Sequence, residues 1–413
     1  MNITTKESDI LLALGEQYMT AASLPVQKEK IKLWRALNRG EMQRPMVCID
    51  QLPMHELNAN GELSCTVSDP FWRNIEFGLR FALYRWNHFP ADMVLNPFIE
   101  IPKAVTNSQY GIRPDDEAMA LDEANTGTMS HQYTNQIETM EDVLKIKDMV
   151  ITHDEKQSAL RLETAEKIFK GLPVRLGGGA GFHVGVWDFL AMLISVEEVY
   201  YMLADSPEIL HAAMERITQS VLAGIKQANE LGVINNTHNE CHCSHIFTDE
   251  LMPAPGESKG AHSKNVWAFG MAQLFSSCPP SVTEEFELPY VSKIAEQFGM
   301  MYYGCCERLD DRLDIVKRIP NLKKVSCSPW SNKQAFAEQI GTKLVMSNKP
   351  NPAFLAGESI DYGVIENDLR ETVKIAKANN ANLEFILKDI STVQYDVGRI
   401  EKFNEIAMRV VSE

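Results

Sequence analysis

The sequence predicts a single (β/α)8 barrel, and three observations lead there. Eight short apolar runs of strand type recur along the 413 residues. Helical runs separate most of them, the order expected of a parallel sheet with helices outside it. The strand runs end on polar or reactive residues, as at the C-terminal rim where parallel barrels place their chemistry. No Gly/Ser/Pro linker interrupts the second half, so residues 1–413 read as one barrel rather than two domains.

In order, residues 1–43 read as an N-terminal helical segment, because Ile10 to Met19 and Ile31 to Ala36 carry apolar residues at helical spacing. Arg44 to Asp50 reads as the first strand, ending on Asp50. Residues 91–155 break the rhythm and read as an insertion over the mouth or an interface, with Pro97 to Pro102 as an extra strand. The remaining strand runs are Leu172 to Leu176, Gly232 to Asn236, Val266 to Met271, Met300 to Cys305, Lys324 to Ser328, Lys343 to Ser347 and Leu383 to Lys388. Helical runs such as Ser195 to Leu231, Glu284 to Phe298 and Asn367 to Ala376 lie between them.

The formal net charge of -16 argues against nucleic acid or an anionic membrane as a partner, since both require a positive surface. No apolar run reaches membrane-spanning length, and no basic start leads into an apolar core, so a cytoplasmic protein is expected. Its eight cysteines are then expected to be reduced.

Tyr303, Cys305 and Glu307 alternate at the end of the fifth run, so strand geometry points them one way and Cys306 the other. Thiolate and carboxylate on one face suit zinc; buried cysteines beside Gly304 are the alternative. Cys241, His242, Cys243 and His245 concentrate four potential ligands in a second loop, although the cysteine spacing is tighter than structural zinc sites use. Asp389, after the last run, is expected to donate a carboxylate to the mouth or to cap the next helix. The stretch Gly177 to His183 offers backbone amides to an anion but lacks a dinucleotide or phosphate-loop order. His183, Asn236 and Trp267 are candidate substrate contacts at other strand ends.

These residues resemble the uroporphyrinogen decarboxylase superfamily, which includes zinc-dependent methyltransferases that work with corrinoid proteins. The resemblance covers roughly residues 165–410 and is carried by Tyr201 to Glu208, Phe286 to Tyr290 and Tyr303 to Glu307. Arg318 to Leu322, Val325 to Trp330 and Asn348 to Pro352 narrow it to a poorly characterised branch. The methyltransferases end the fifth strand on His-x-Cys and take a second Cys from the last strand; here Tyr303 stands at the His, Cys305 matches the Cys, and Asp389 stands near the second. The decarboxylase's arginine-rich turn is replaced by Ile49 to His55, without arginine.

The resemblance therefore implies methyl transfer from a small substrate to a corrinoid protein, assisted by zinc on Cys305 with Glu307, Cys306 or the Cys241–His245 loop. The alternative is a decarboxylase with Asp50 and Asp389 as its acid/base pair and Arg175, Lys349 or Lys388 holding the substrate carboxylate. A homodimer is also implied.

Overall fold

The structure is a computed structural model and describes residues 3–120, 129–235, 239–251 and 262–413. Two helices open it, α1 (Thr5–Ala22) and α2 (Pro25–Asn38). Thr4 and Glu7 form a reciprocal capping box at the start of α1, and Pro25 stands at the first turn of α2, where no N–H is needed. Eight strands matter to the site: β1 (Met46–Ile49), β2 (Ile99–Pro102), β3 (Val174–Gly177), β4 (Trp267–Gly270), β5 (Met300–Tyr303), β6 (Leu322–Cys327), β7 (Val345–Asn348) and β8 (Asn382–Leu387).

Six of them form one parallel sheet curled into a half-barrel, in the order β1, β8, β7, β6, β5, β4. The two-residue strand His183–Val184 extends it beyond β4. β2 and β3 pair with each other in a separate parallel ladder. Within residues 91–155, Val105–Asn107 pairs antiparallel with Ile151–His153, and Asp116–Ala120 with Met129–Tyr133.

The expected closed eight-stranded barrel is not what the described residues show, and β1 explains part of the difference. Its outer edge at Val47 is already bonded: the Val47 carbonyl accepts from the Asp92 N–H at 3.0 Å, and the Val47 N–H donates to the Asp92 carboxylate at 2.9 Å. Arg44 fixes that carboxylate through both its oxygens, at 2.7 and 2.9 Å. One residue, through its backbone N–H and its carboxylate, thus satisfies the edge that a neighbouring strand would use. Of the run Gly232 to Asn236, the described residues 232–235 make a single bridge, between Ile234 and Ala180.

Strand alternation sorts the sheet's side chains into two sets. Val47, Ile49, Met301, Tyr303, Val325, Cys327, Leu383, Phe385 and Leu387 face the helical layer. Met46, Cys48, Trp267, Phe269, Met300, Tyr302, Val345 and Ile386 face the concave side, which Trp34 of α2 closes from below. A short hairpin, Glu240–Cys241 paired with Ser244–His245, fills that concavity. His245 meets Trp34 edge-on at 5.2 Å between ring centres, and the Ser244 hydroxyl donates to Glu384 at 2.8 Å.

Candidate active site

The site begins where β5 stops. Gly304 has a φ of +95°, which breaks the two-residue alternation. An added Cβ there would stand 2.6 Å from Leu309 Cδ1 and 3.0 Å from the Ser326 Cβ, so glycine is required by space as well as by conformation. After this turn Cys305 joins the concave set instead of following Tyr303. The Ser326 hydroxyl locks the new direction by donating to the Cys305 carbonyl at 2.6 Å.

Four polar groups converge on this point. Lys388, one residue past β8, donates from Nζ to the Cys305 Sγ at 2.9 Å. The same ammonium lies 3.2 Å from His242 Nε2 and 3.3 Å from the Asp389 carboxylate. The Cys306 thiol stands 3.5 Å from Cys305 Sγ and 3.1 Å from the Asp389 carboxylate, either of which can accept its one S–H. A hydrogen bond from Cys306 and the Lys388 ammonium hold the Cys305 thiol below its ordinary range despite burial. Donation to Cys305, and burial, push Cys306 up. Burial alone would lower Lys388, but Cys305 and the Asp389 carboxylate outweigh it and keep it protonated.

A second polar layer lies beneath. Lys349 donates to the hydroxyls of Tyr302 and Ser347, the latter at 3.0 Å. Tyr302 and Ser347 share a hydrogen bond of 2.6 Å, and Ser347 donates to Glu384 at 2.7 Å. Glu384 is neutralised by Lys324 at 2.7 Å, both side chains being fully buried. A cavity of about 330 Å³ opens onto these layers, with Cys306, Trp330, Lys349, Asn351, Lys388 and Asp389 among its walls. A larger cavity of about 630 Å³ lies on the open side of the half-barrel, against the hairpin. The smaller one is the better candidate because the charged and thiol groups meet there, at the C-terminal ends of β6, β7 and β8.

The predicted residues separate into groups. Cys305, Cys306, Lys388, Asp389 and His242 come together at the mouth. Asp50 bonds the Cys243 thiol beside them, and burial with that carboxylate raises Cys243. Trp267 and Cys241 line the larger cavity instead, Cys241 being pushed up to about 12 by burial. Arg175 stacks on Phe98 at 4.6 Å, on the β2–β3 ladder. His183 lies on the short edge strand, and Asn236 falls outside the described residues.

Tyr303 and Glu307 do not occupy the roles that alternation assigned them. Tyr303 points to the helical layer and donates to Glu287 at 3.2 Å; the tyrosine of the concave face is Tyr302. Glu307 is buried and accepts the Cys305 N–H at 2.7 Å and the Ala272 N–H at 3.3 Å, tying the turn to the end of β4. Cys306, expected in the helical layer, reaches the mouth because the strand has already turned at Gly304.

Sequence reasoning missed Tyr302, Lys324, Ser347 and Glu384. The signal is present: Glu384 and Lys388 interrupt an apolar run at even spacing, as do Ser347 and Lys349, and period-two polar residues inside a buried strand mark its inner face.

Donor chemistry alone would suit zinc, but the arrangement does not fit it. Lys388 Nζ sits among Cys305, His242 and Asp389, where an ion would have to lie, and its charge repels one. Among the described residues no group of three or more His, Cys, Asp and Glu is arranged to hold a metal.

No protein-family model matches the chain, and no curated protein matches it. Solved structures do: a methyltransferase from Methanosarcina mazei aligns with a TM-score of 0.51 at 13% identity, over 90% of this chain and 96% of that one. At that identity the likeness is one of fold.

Proposed function

We propose that the chain is an enzyme that transfers a methyl group from a small methylated substrate, with the mouth between β5, β7 and β8 as its active site. The single observation that carries this reading is the 2.9 Å contact between the Lys388 ammonium and the Cys305 thiol at the strand ends. The fold likeness to a protein called a methyltransferase supports it, as does the resemblance of Tyr303 to Glu307 to the superfamily's fifth-strand end.

Lys388 is the electrophile. Its ammonium donates to the oxygen, nitrogen or sulfur that bears the methyl group and stabilises the electron pair left there when the bond to carbon breaks. Cys305, as thiolate, keeps Lys388 charged and aimed, and Asp389 holds it from the other side. Gly304, Ser326 and Glu307 fix the turn that presents Cys305. A corrinoid on a partner protein would supply the nucleophile that accepts the methyl group. The zinc-assisted variant is not used, because the ammonium already occupies the electrophile's place.

The test is methyl transfer to reduced cobalamin from a panel of methylated amines, thiols and phenol ethers, followed by the absorbance change of the corrinoid. Wild type should turn over one class. Lys388→Met should lose about 10²- to 10³-fold, the usual effect of removing one preorganised donor. Absence of transfer from every class, or an undiminished Lys388→Met, would refute it.

One observation favours decarboxylation as a second reading. Lys349 and Lys388 line the same cavity, and two cations could hold a carboxylated substrate. Carbon dioxide release from a panel of carboxylates separates it from methyl transfer.

A further inference from the structure

The two lysines of the mouth have opposite surroundings. Lys388 is held by Cys305 and Asp389. Lys349 is buried at 3% exposure, and its hydrogen-bond partners are two hydroxyls, Tyr302 and Ser347. Among the described residues it has no carboxylate within ion-pair distance; the nearby Glu384 is taken up by Lys324, Ser244 and Ser347. It nevertheless lines the 330 Å³ cavity. A lysine that is desolvated, set beside another cation and open to a pocket is placed to act as a free amine.

We propose that Lys349 is an amine nucleophile that forms an imine with a small aldehyde or ketone bound in this cavity. The inference stands apart from the methyl-transfer reading. Lys349 first gives one ammonium proton to solvent through the cavity. Its lone pair then attacks the carbonyl carbon, forming the C–N bond and a carbinolamine. The carbinolamine oxygen leaves as water, its second proton delivered by the Tyr302 hydroxyl, which recovers a proton from the nitrogen. The balance is amine plus carbonyl to imine plus water, with nothing oxidised or reduced. Ser347, bonded to Tyr302 at 2.6 Å and to Glu384 at 2.7 Å, holds the phenol in place. The direction of titration agrees: burial, opposed by Glu384 and helped by Lys388, lowers Lys349 to about 8.

The experiment is reductive trapping. Wild-type protein is exposed briefly at neutral pH to acetone or glycolaldehyde with sodium cyanoborohydride, and adducts are mapped by peptide mass spectrometry. Lys349 should label at least tenfold faster than exposed lysines such as Lys167 and Lys374. Lys349→Arg should remove that adduct, and Tyr302→Phe should slow it severalfold without moving the background. The wild-type rate at Lys349 should also rise with pH around 8, a readout that needs no variant. Labelling of Lys349 no faster than of exposed lysines, or a midpoint in the ordinary lysine range, would overturn the proposal.

Discussion

Lys388 Nζ and Cys305 Sγ lie 2.9 Å apart although 83 residues separate them in sequence. The contact joins the ends of β8 and β5, which are not neighbours in the sheet but face each other across its concave side. It sets a buried thiol and a buried amine, each costly to charge alone, where each stabilises the charged form of the other.

The turn at Gly304 should be intolerant of a side chain. Gly304→Ala forces a positive φ on an L-residue and a contact of 2.6 Å with Leu309, so a loss of about 1–3 kcal/mol is expected. Denaturant unfolding measures it. Cys305 reactivity towards iodoacetamide should fall in the same variant, because the thiol leaves Lys388.

Lys324 and Glu384 form a fully buried ion pair beneath the mouth. Removing one partner, as in Lys324→Met, should destabilise by about 3–5 kcal/mol, whereas Lys324→Met with Glu384→Leu should recover much of that. Unfolding curves of the two variants decide it; equal losses would contradict the buried-pair account.

Fold and site are legible in the sequence to different degrees. The six sheet strands and the opening helices follow from apolar periodicity, which burial enforces residue by residue. Cys305, Lys388 and Asp389 were legible because strand ends in a parallel sheet gather at one rim. Counting back from Cys305 puts Tyr303 on the wrong face, because alternation holds only while the strand lasts and Gly304 ends it. The open sheet was not legible, since Asp92 takes the place of a strand partner through two hydrogen bonds that no periodicity records. The hairpin's role was also hidden: Cys241 to His245 reads as a ligand cluster, yet its residues fill the concavity.

His245 should make stability fall on acidification. Burial, with Arg85 and Lys324 nearby, lowers it from 6.5 to about 3. The unfolded state therefore takes up a proton first, so stability is full above pH 6.5 and is lost as pH falls from there towards 3. The slope from this group is at most about 1.4 kcal/mol per pH unit. His245→Phe should flatten it in a pH series of unfolding curves.

Glu287 works in the opposite direction. Burial first, despite the hydrogen bond from Tyr303, raises it well above 4.5. Its contribution is present below 4.5 and is lost as pH rises through the folded value, because unfolding then releases a proton. Glu287→Gln should thus lose less stability than wild type between weakly acid and alkaline pH. An identical pH profile for the two proteins would contradict a protonated Glu287.

The most direct test of the Cys305–Lys388 centre is the thiolate absorbance of the folded protein in the far ultraviolet at neutral pH. Of the eight cysteines, Cys48, Cys65, Cys241, Cys243, Cys278, Cys306 and Cys327 are all pushed up by their surroundings, and Cys305 alone is lowered. One thiolate should be seen in wild type, absent from Cys305→Ser and diminished in Lys388→Met. No thiolate at neutral pH, or one unchanged by Lys388→Met, would contradict the account.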